Sequence, residues 1–209
     1  MASTVRRFRP YIVEGRKGRF DHIAFVDIDD TMFKTTARIG VRNTKTGEVR
    51  SLSNQEFNSY RFGPDEEPDY GEFRDAKKFR DSSRVIESTM KMVKRTLATK
   101  GSAVCFLTAR SSFDDNAIVR ATFRDHGINM SGSDTFIELT GNLEGRIGTV
   151  PARKEFVVRK FIDRYGPSSV AMYDDHLGNL KVMDDVRRDY PEVSVKKYLV
   201  TAGKIRGVR

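Results

Sequence analysis

The chain has 209 residues, enough for one core-bearing domain and short for two. Hydrophobic residues make up 38% and charged residues 32%, with one cysteine, Cys105. That excludes a disordered, collagen-like or coiled-coil chain, an internal disulfide framework and a multi-cysteine zinc site. The net charge of +9 sits at the ends: residues 1–20 carry +5, residues 196–209 carry +5, and the remainder is close to neutral. Basic ends attract polyanions, so they are expected either to meet nucleic acid or to act as solvated tails.

The first strand is expected at His22–Asp27, an apolar run short enough to be buried on both faces. Ala37–Arg42 and Glu48–Leu52 flank a turn-rich loop and read as a hairpin. Residues 53–80 are polar and dotted with aromatics, and read as short helices and loop forming a small lid. A helix is expected from about Ser83 to Thr99, stopped by Gly101. Ser102–Thr108 is a second buried strand. Ser111 and Ser112, followed by Asp114 and Asp115, read as the start of a helix reaching about Asp125.

Thr135–Leu139 is a third strand, and Gly141–Gly148 an ordinary glycine-rich connection. Pro151 marks the first turn of a helix that ends at Tyr165 before Gly166. Ser169–Tyr173 is the fourth strand, Leu177–Arg188 a helix, and Val193–Val200 the fifth strand. The alternation predicts an α/β fold: a Rossmann-like parallel sheet of about five strands, with a hairpin and lid inserted after the first. The expected organisation is a basic N-terminal arm over 1–20, one domain over 21–200 with its insertion near 37–80, and a basic tail over 201–209. No apolar run approaches the roughly 18 residues of a membrane span, and residues 1–20 lack a signal-type apolar core. A cytoplasmic protein with no membrane partner is expected.

In a doubly wound sheet, ligands bind beyond the carboxyl ends of the strands. The polar residues there are Asp27, Asp29, Asp30 and Thr31 after the first strand, Thr108 and Arg110 after the second, and Asp174 and Asp175 after the fourth. Arg153 and Lys154 open the helix before that fourth strand. Carboxylates, hydroxyls and cations thus converge on one edge. Cys105 lies inside an apolar strand and reads as a buried small hydrophobe, and His176 as a surface residue.

In these residues the sequence resembles the haloacid dehalogenase (HAD) superfamily of phosphohydrolases. An apolar strand followed by Asp-x-Asp-x-Thr is matched by Asp27-Ile28-Asp29-Asp30-Thr31, and a strand ending in Thr by Val104–Thr108. A cation near a helix start is matched by Lys154, with Arg153 and Arg159 as neighbours that could fill the role. An acidic pair after a strand is matched by Asp174-Asp175, and the order holds over residues 22–200. Asp30 departs from the pattern, where the family most often has Gly.

The resemblance implies a Mg²⁺-dependent phosphatase. Asp27 would be the nucleophile that forms an aspartyl-phosphate, and Asp29 the acid and base for the leaving group and water. Asp174 and Asp175 would hold Mg²⁺ together with Asp27 and the Asp29 carbonyl. Thr108 and Lys154 would stabilise the phosphate, and Thr31, a candidate on the substrate side, more plainly fixes the loop. Arg110 resembles an arginine that aids phosphate binding in the phosphatase domains of phage-type polynucleotide kinase-phosphatases. Its alternative is a salt bridge to Asp114 or Asp115. A small lid and basic ends favour a nucleotide or nucleic-acid terminus as the phosphorylated partner. A small-metabolite phosphatase and a non-catalytic polyanion binder on the same fold are the alternatives, and oligomeric state is left open.

Overall fold

The computed structural model describes residues 18–208. The chain enters through β1 (His22–Val26) and β2 (Phe33–Lys34), then a hairpin, β3 (Ile39–Asn43) and β4 (Val49–Leu52). Next come α1 (Asn54–Ser59), β5 (Glu66–Asp69), α2 (Gly71–Arg74), α3 (Ala76–Ser82) and β6 (Arg84–Val85). The alternating part follows: α4 (Glu87–Ala98), β7 (Ser102–Thr108), α5 (Asn116–Asp125) and β8 (Thr135–Leu139). It continues through α6 (Val150–Tyr165), β9 (Ser169–Asp174) and α7 (Leu177–Asp189), and closes with β10 (Ser194–Thr201) and β11 (Lys204–Val208).

The central sheet runs β11-β10-β9-β1-β7-β8. Four of its five pairings are parallel, and the exception is at one edge, where β11 lies antiparallel on β10. The five parallel strands coincide with the five apolar runs of the sequence. The sixth is a correction: of the segment 201–209, expected as a tail, the chain turns back at Ala202 and Gly203, both at positive φ, and Lys204–Val208 pairs as an edge strand. Of the expected N-terminal arm, residues 1–17 lie outside the described residues. Its last residue, Phe20, is buried against Tyr165 and Phe136.

Alternation along β1 explains the layers. Ile23 and Phe25 face Val157, Phe161 and Met183 of α6 and α7. Ala24 and Val26 face Met90, Val93, Val119 and Phe123 of α4 and α5. All seven residues of β7 are buried, as expected of a parallel strand covered on both faces. Among the described residues, no helix is long and apolar enough to cross a membrane.

The insertion is closed by a two-rung ribbon of β2 and β6, which brings its entry and exit together. Inside it, β4-β3-β5 form a small antiparallel sheet, with Ala37, Ile39 and Phe73 packed beside Phe57 and Tyr70. The expected hairpin is present. The helix expected from Ser83 begins instead at Glu87, because Arg84 and Val85 are held in the ribbon. The helix expected near Ser111 begins at Asn116, capped by Asp115, whose carboxylate accepts from the amides of Ala117 and Ile118. Thr149 caps α6, and Gly166 ends it in the left-handed conformation.

Candidate active site

The crossover from β1 runs to β7 on one side, whereas that from β9 runs to β10 on the other. The chain therefore switches direction between β1 and β9, where a crevice opens at the strands' carboxyl ends. There the structure holds a cleft of about 380 Å³. Asp27, Asp29, Arg110, Lys154 and Asp175 line it, joined by Ile39, Phe57, Tyr70 and Phe73 of the insertion.

Asp27 follows β1 directly, and its amide donates to the Tyr173 carbonyl, which locks the loop to β9. Lys154 Nζ bridges two carboxylates, Asp27 Oδ1 at 2.7 Å and Asp174 Oδ2 at 2.6 Å, with only 1% of its side chain exposed. Burial alone disfavours the ammonium, but Asp174 and Asp27 together raise its pKa. Arg159 is not part of this centre, since it pairs with Glu155 and Asp189. Of the three cations near this helix start, Lys154 is the one that meets the carboxylates.

Arg110 pairs with neither Asp114 nor Asp115. Its Nε donates to Asp29 Oδ2 at 2.9 Å and its Nη2 to Asp29 Oδ1 at 2.6 Å, a bidentate fork across 81 residues. Nη1 donates to the Phe73 carbonyl. The guanidinium carbon lies 4.7 Å from the Phe73 ring centroid, 4.9 Å from Phe113 and 5.1 Å from Phe79. Arg110 thus ties the insertion to the sheet through one buried cation.

Three expected site residues lie behind the cleft rather than in it. Thr31 is fully buried and donates to Asp175 Oδ1 at 3.4 Å, so it orients that acid from behind the cleft. Thr108 is fully buried too, with its hydroxyl donating to Asp29 Oδ2 at 3.4 Å. Asp174 accepts from Lys154, from Asn179 Nδ2 and from the His176 amide, which commits both its oxygens. Asp175, not Asp174, is the cleft-facing member of the pair.

Asp30 has a φ of +57°, in the left-handed region where glycine is at ease. The backbone there needs the conformation, and aspartate is one of the few side chains that tolerates it. Gly141 is a stricter case. A Cβ on it would lie 2.6 Å from the Ala109 carbonyl oxygen and the Ser111 amide nitrogen. Gly141→Ala is therefore expected to push away the loop that carries Arg110 and to cost roughly 1–3 kcal/mol in urea unfolding. An unchanged midpoint would show that the loop yields freely.

The acids Asp27, Asp29, Asp174 and Asp175 face two contacting cations, Lys154 and Arg110. Burial pushes the Asp27 carboxyl well up, against the pull of Lys154 and with help from Asp174, Asp175 and Asp29. Burial, then Asp174, pushes Asp175 up to about 7. This excess of carboxylate in a buried place is the charge pattern a divalent cation would balance, and oxygen-only donors suit Mg²⁺. Among the described residues, no three acidic, histidine or cysteine side chains already stand at ligand spacing. Of the three aspartates that line the cleft, Asp27 and Asp175 fit the group, because Arg110 already holds both oxygens of Asp29.

Sequence reasoning missed Asn179, which reaches back from the first turn of α7 to Asp174, and the aromatic seat of Arg110. A polar residue in the first turn of a helix, just after a strand-end acid, was the available signal for Asn179. Cys105 is fully buried, and burial pushes its thiol up, so it takes no part in the site. No protein-family model, curated protein or solved structure matches the chain.

Proposed function

We propose that this protein is a Mg²⁺-dependent phosphomonoesterase of the HAD type, on a Rossmann-like core whose insertion serves as a small lid. The observation that carries the reading is the placement of Asp27. It sits in the cleft at the switch point of the sheet, with Lys154 on one oxygen and, among the described residues, no hydrogen bond on the other. In this reading an Asp27 carboxylate oxygen attacks phosphorus, the ester P–O bond breaks, and an acyl phosphate forms on Asp27. Asp29 gives the leaving oxygen a proton, then takes one from the water that hydrolyses the acyl phosphate. Both Asp29 oxygens are held by Arg110. Proton transfer therefore requires the fork to loosen, which turns Arg110 towards the incoming phosphate. Asp27, Asp175 and the Asp29 main-chain carbonyl would hold Mg²⁺, which withdraws charge from the phosphate when bound.

Phe57, Tyr70 and Phe73 offer flat apolar surface beside these polar groups, which favours a nucleotide or nucleic-acid terminus as the phosphate's carrier. The test is phosphate release from an aryl phosphate, and then from 3′- and 5′-phosphorylated oligonucleotides, with and without Mg²⁺. Asp27→Asn is expected to lower turnover by about three orders of magnitude or more, as loss of a nucleophile does. Turnover that survives in Asp27→Asn, or that is indifferent to chelation of Mg²⁺, would overturn the reading.

A further inference from the structure

Arg153 stands beside Lys154 in the first turn of α6 and lines the same cleft, yet it does not share the carboxylates. Its side chain is only 7% exposed. Even so, its Nε and Nη1 have no hydrogen-bond partner among the described residues. The nearest acid is Glu144, whose Oε2 lies 3.8 Å from Nη1, beyond hydrogen-bond reach, on a side chain 68% exposed. Buried donors are almost always satisfied, and a guanidinium more than most, because it carries five N–H groups in a rigid fork. Two guanidinium nitrogens without a partner, on a side chain that lines a cleft, are arranged for an anion that arrives from solution.

The surroundings narrow what that anion belongs to. The cleft's 380 Å³ falls within the range of small-molecule sites and is far more than one phosphate fills. Tyr70 is half-buried close to both Glu144 and Arg153, and Phe57 packs against it edge-on at 5.8 Å. A polar anchor, an aromatic wall and a second cationic anchor therefore occur in one cavity.

We infer that Arg153 is a second anion subsite, and that the substrate is a nucleotide unit with two phosphates, one at Asp27 and the other at Arg153. The inference rests on the phosphomonoesterase reading for which phosphate is cleaved, but not for whether Arg153 binds. Glu144 stands near Arg153 as a loose internal counter-ion and gives way when the second phosphate enters. The same chemistry occurs in a free nucleoside bisphosphate and at the end of a polynucleotide, where the neighbouring phosphodiester supplies the second charge.

Binding is measured by calorimetry on full-length Asp27→Asn protein, so that turnover plays no part. The ligands are adenosine 5′-monophosphate, adenosine 3′,5′-bisphosphate and a 5′-phosphorylated dinucleotide. The bisphosphate, the dinucleotide or both are expected to bind about 10-fold or more tighter than the monophosphate, as a charge-assisted contact implies. Whichever ligand gains more identifies the source. Adding Arg153→Gln should collapse the preference to within about threefold, and Arg153→Lys should leave an intermediate value. Glu144→Gln alters an exposed side chain, so it should fold normally and tighten the bisphosphate by about 2–5-fold. Equal binding of all three ligands, or a preference untouched by Arg153→Gln, would overturn the subsite. A preference that depends on Arg153 in a protein whose wild type releases no phosphate would keep the subsite and reject the esterase reading.

Discussion

Lys154→Met is expected to destabilise the protein by about 3–5 kcal/mol and to abolish phosphate release. The single ammonium neutralises two carboxylates, Asp27 and Asp174, each within 2.7 Å and each buried. Removing one partner of a buried ion pair costs far more than the pair contributes, because the remaining charges have lost their solvent as well as their counter-ion. Asp174 keeps its contacts with Asn179 and the His176 amide, so Asp27 is the more exposed to the loss. Urea unfolding measures the effect. Adding Asp174→Asn to Lys154→Met should recover part of the stability, since one of the two stranded charges disappears, yet none of the turnover. A single variant that unfolds at the wild-type midpoint would mean that the carboxylates are neutral without Lys154.

The second large effect is expected at Arg110. Arg110→Met strands Asp29 in a buried site and also empties the space between Phe73, Phe79 and Phe113. A loss of about 3–5 kcal/mol is expected in the same unfolding measurement. Arg110→Lys keeps the charge but cannot form the fork or stack on three rings, so it should fall between wild type and Arg110→Met. The pair of variants separates charge from shape. If Lys restores full stability, the ring contacts carry nothing and the interaction is only coulombic. Because Nη1 also binds the Phe73 carbonyl, both variants should loosen the insertion, seen as faster amide exchange over α2.

The parallel strands were legible because each is a short apolar run set off by polar turns, and burial on both faces demands that composition. β11 was not legible. Lys204, Arg206 and Gly207 make a polar pattern, and an edge strand paired on one side has no need of an apolar one. β5 was hidden by Glu66-Glu67-Pro68-Asp69, because a proline is tolerated only where a strand meets the end of a sheet, as here. The start of α5 was set early because Ser111 and Ser112 look like caps. In the fold, the chain must first carry Arg110 and bury Phe113 before it can turn into the helix.

The acids of the site were legible from their positions at strand ends. Which of them opens on the cleft was not. Thr31, Thr108 and Asp174 share those positions with Asp29 and Asp175, but their hydroxyls and carboxylate are claimed by partners up to 144 residues away. Local pattern carries no record of such pairings. Arg110 makes the same point: the nearest acids in sequence, Asp114 and Asp115, are occupied by the Ala76 amide and the cap of α5. The fork is then free to close on Asp29.

The position of β1 also governs how the molecule must be made. Its register joins His22 to Ser102 on one side and to Ser169 on the other, so its second neighbour is synthesised 147 residues after it. Until β9 arrives, β1 presents an open apolar edge, and Asp27 lacks the Tyr173 carbonyl and the Asp174 carboxylate that shares Lys154 with it. Chains that stop before Ser169 are thus adhesive intermediates rather than smaller working proteins. Such long-range closure slows folding, because the loop must close before the contacts between β1 and β9 reward it.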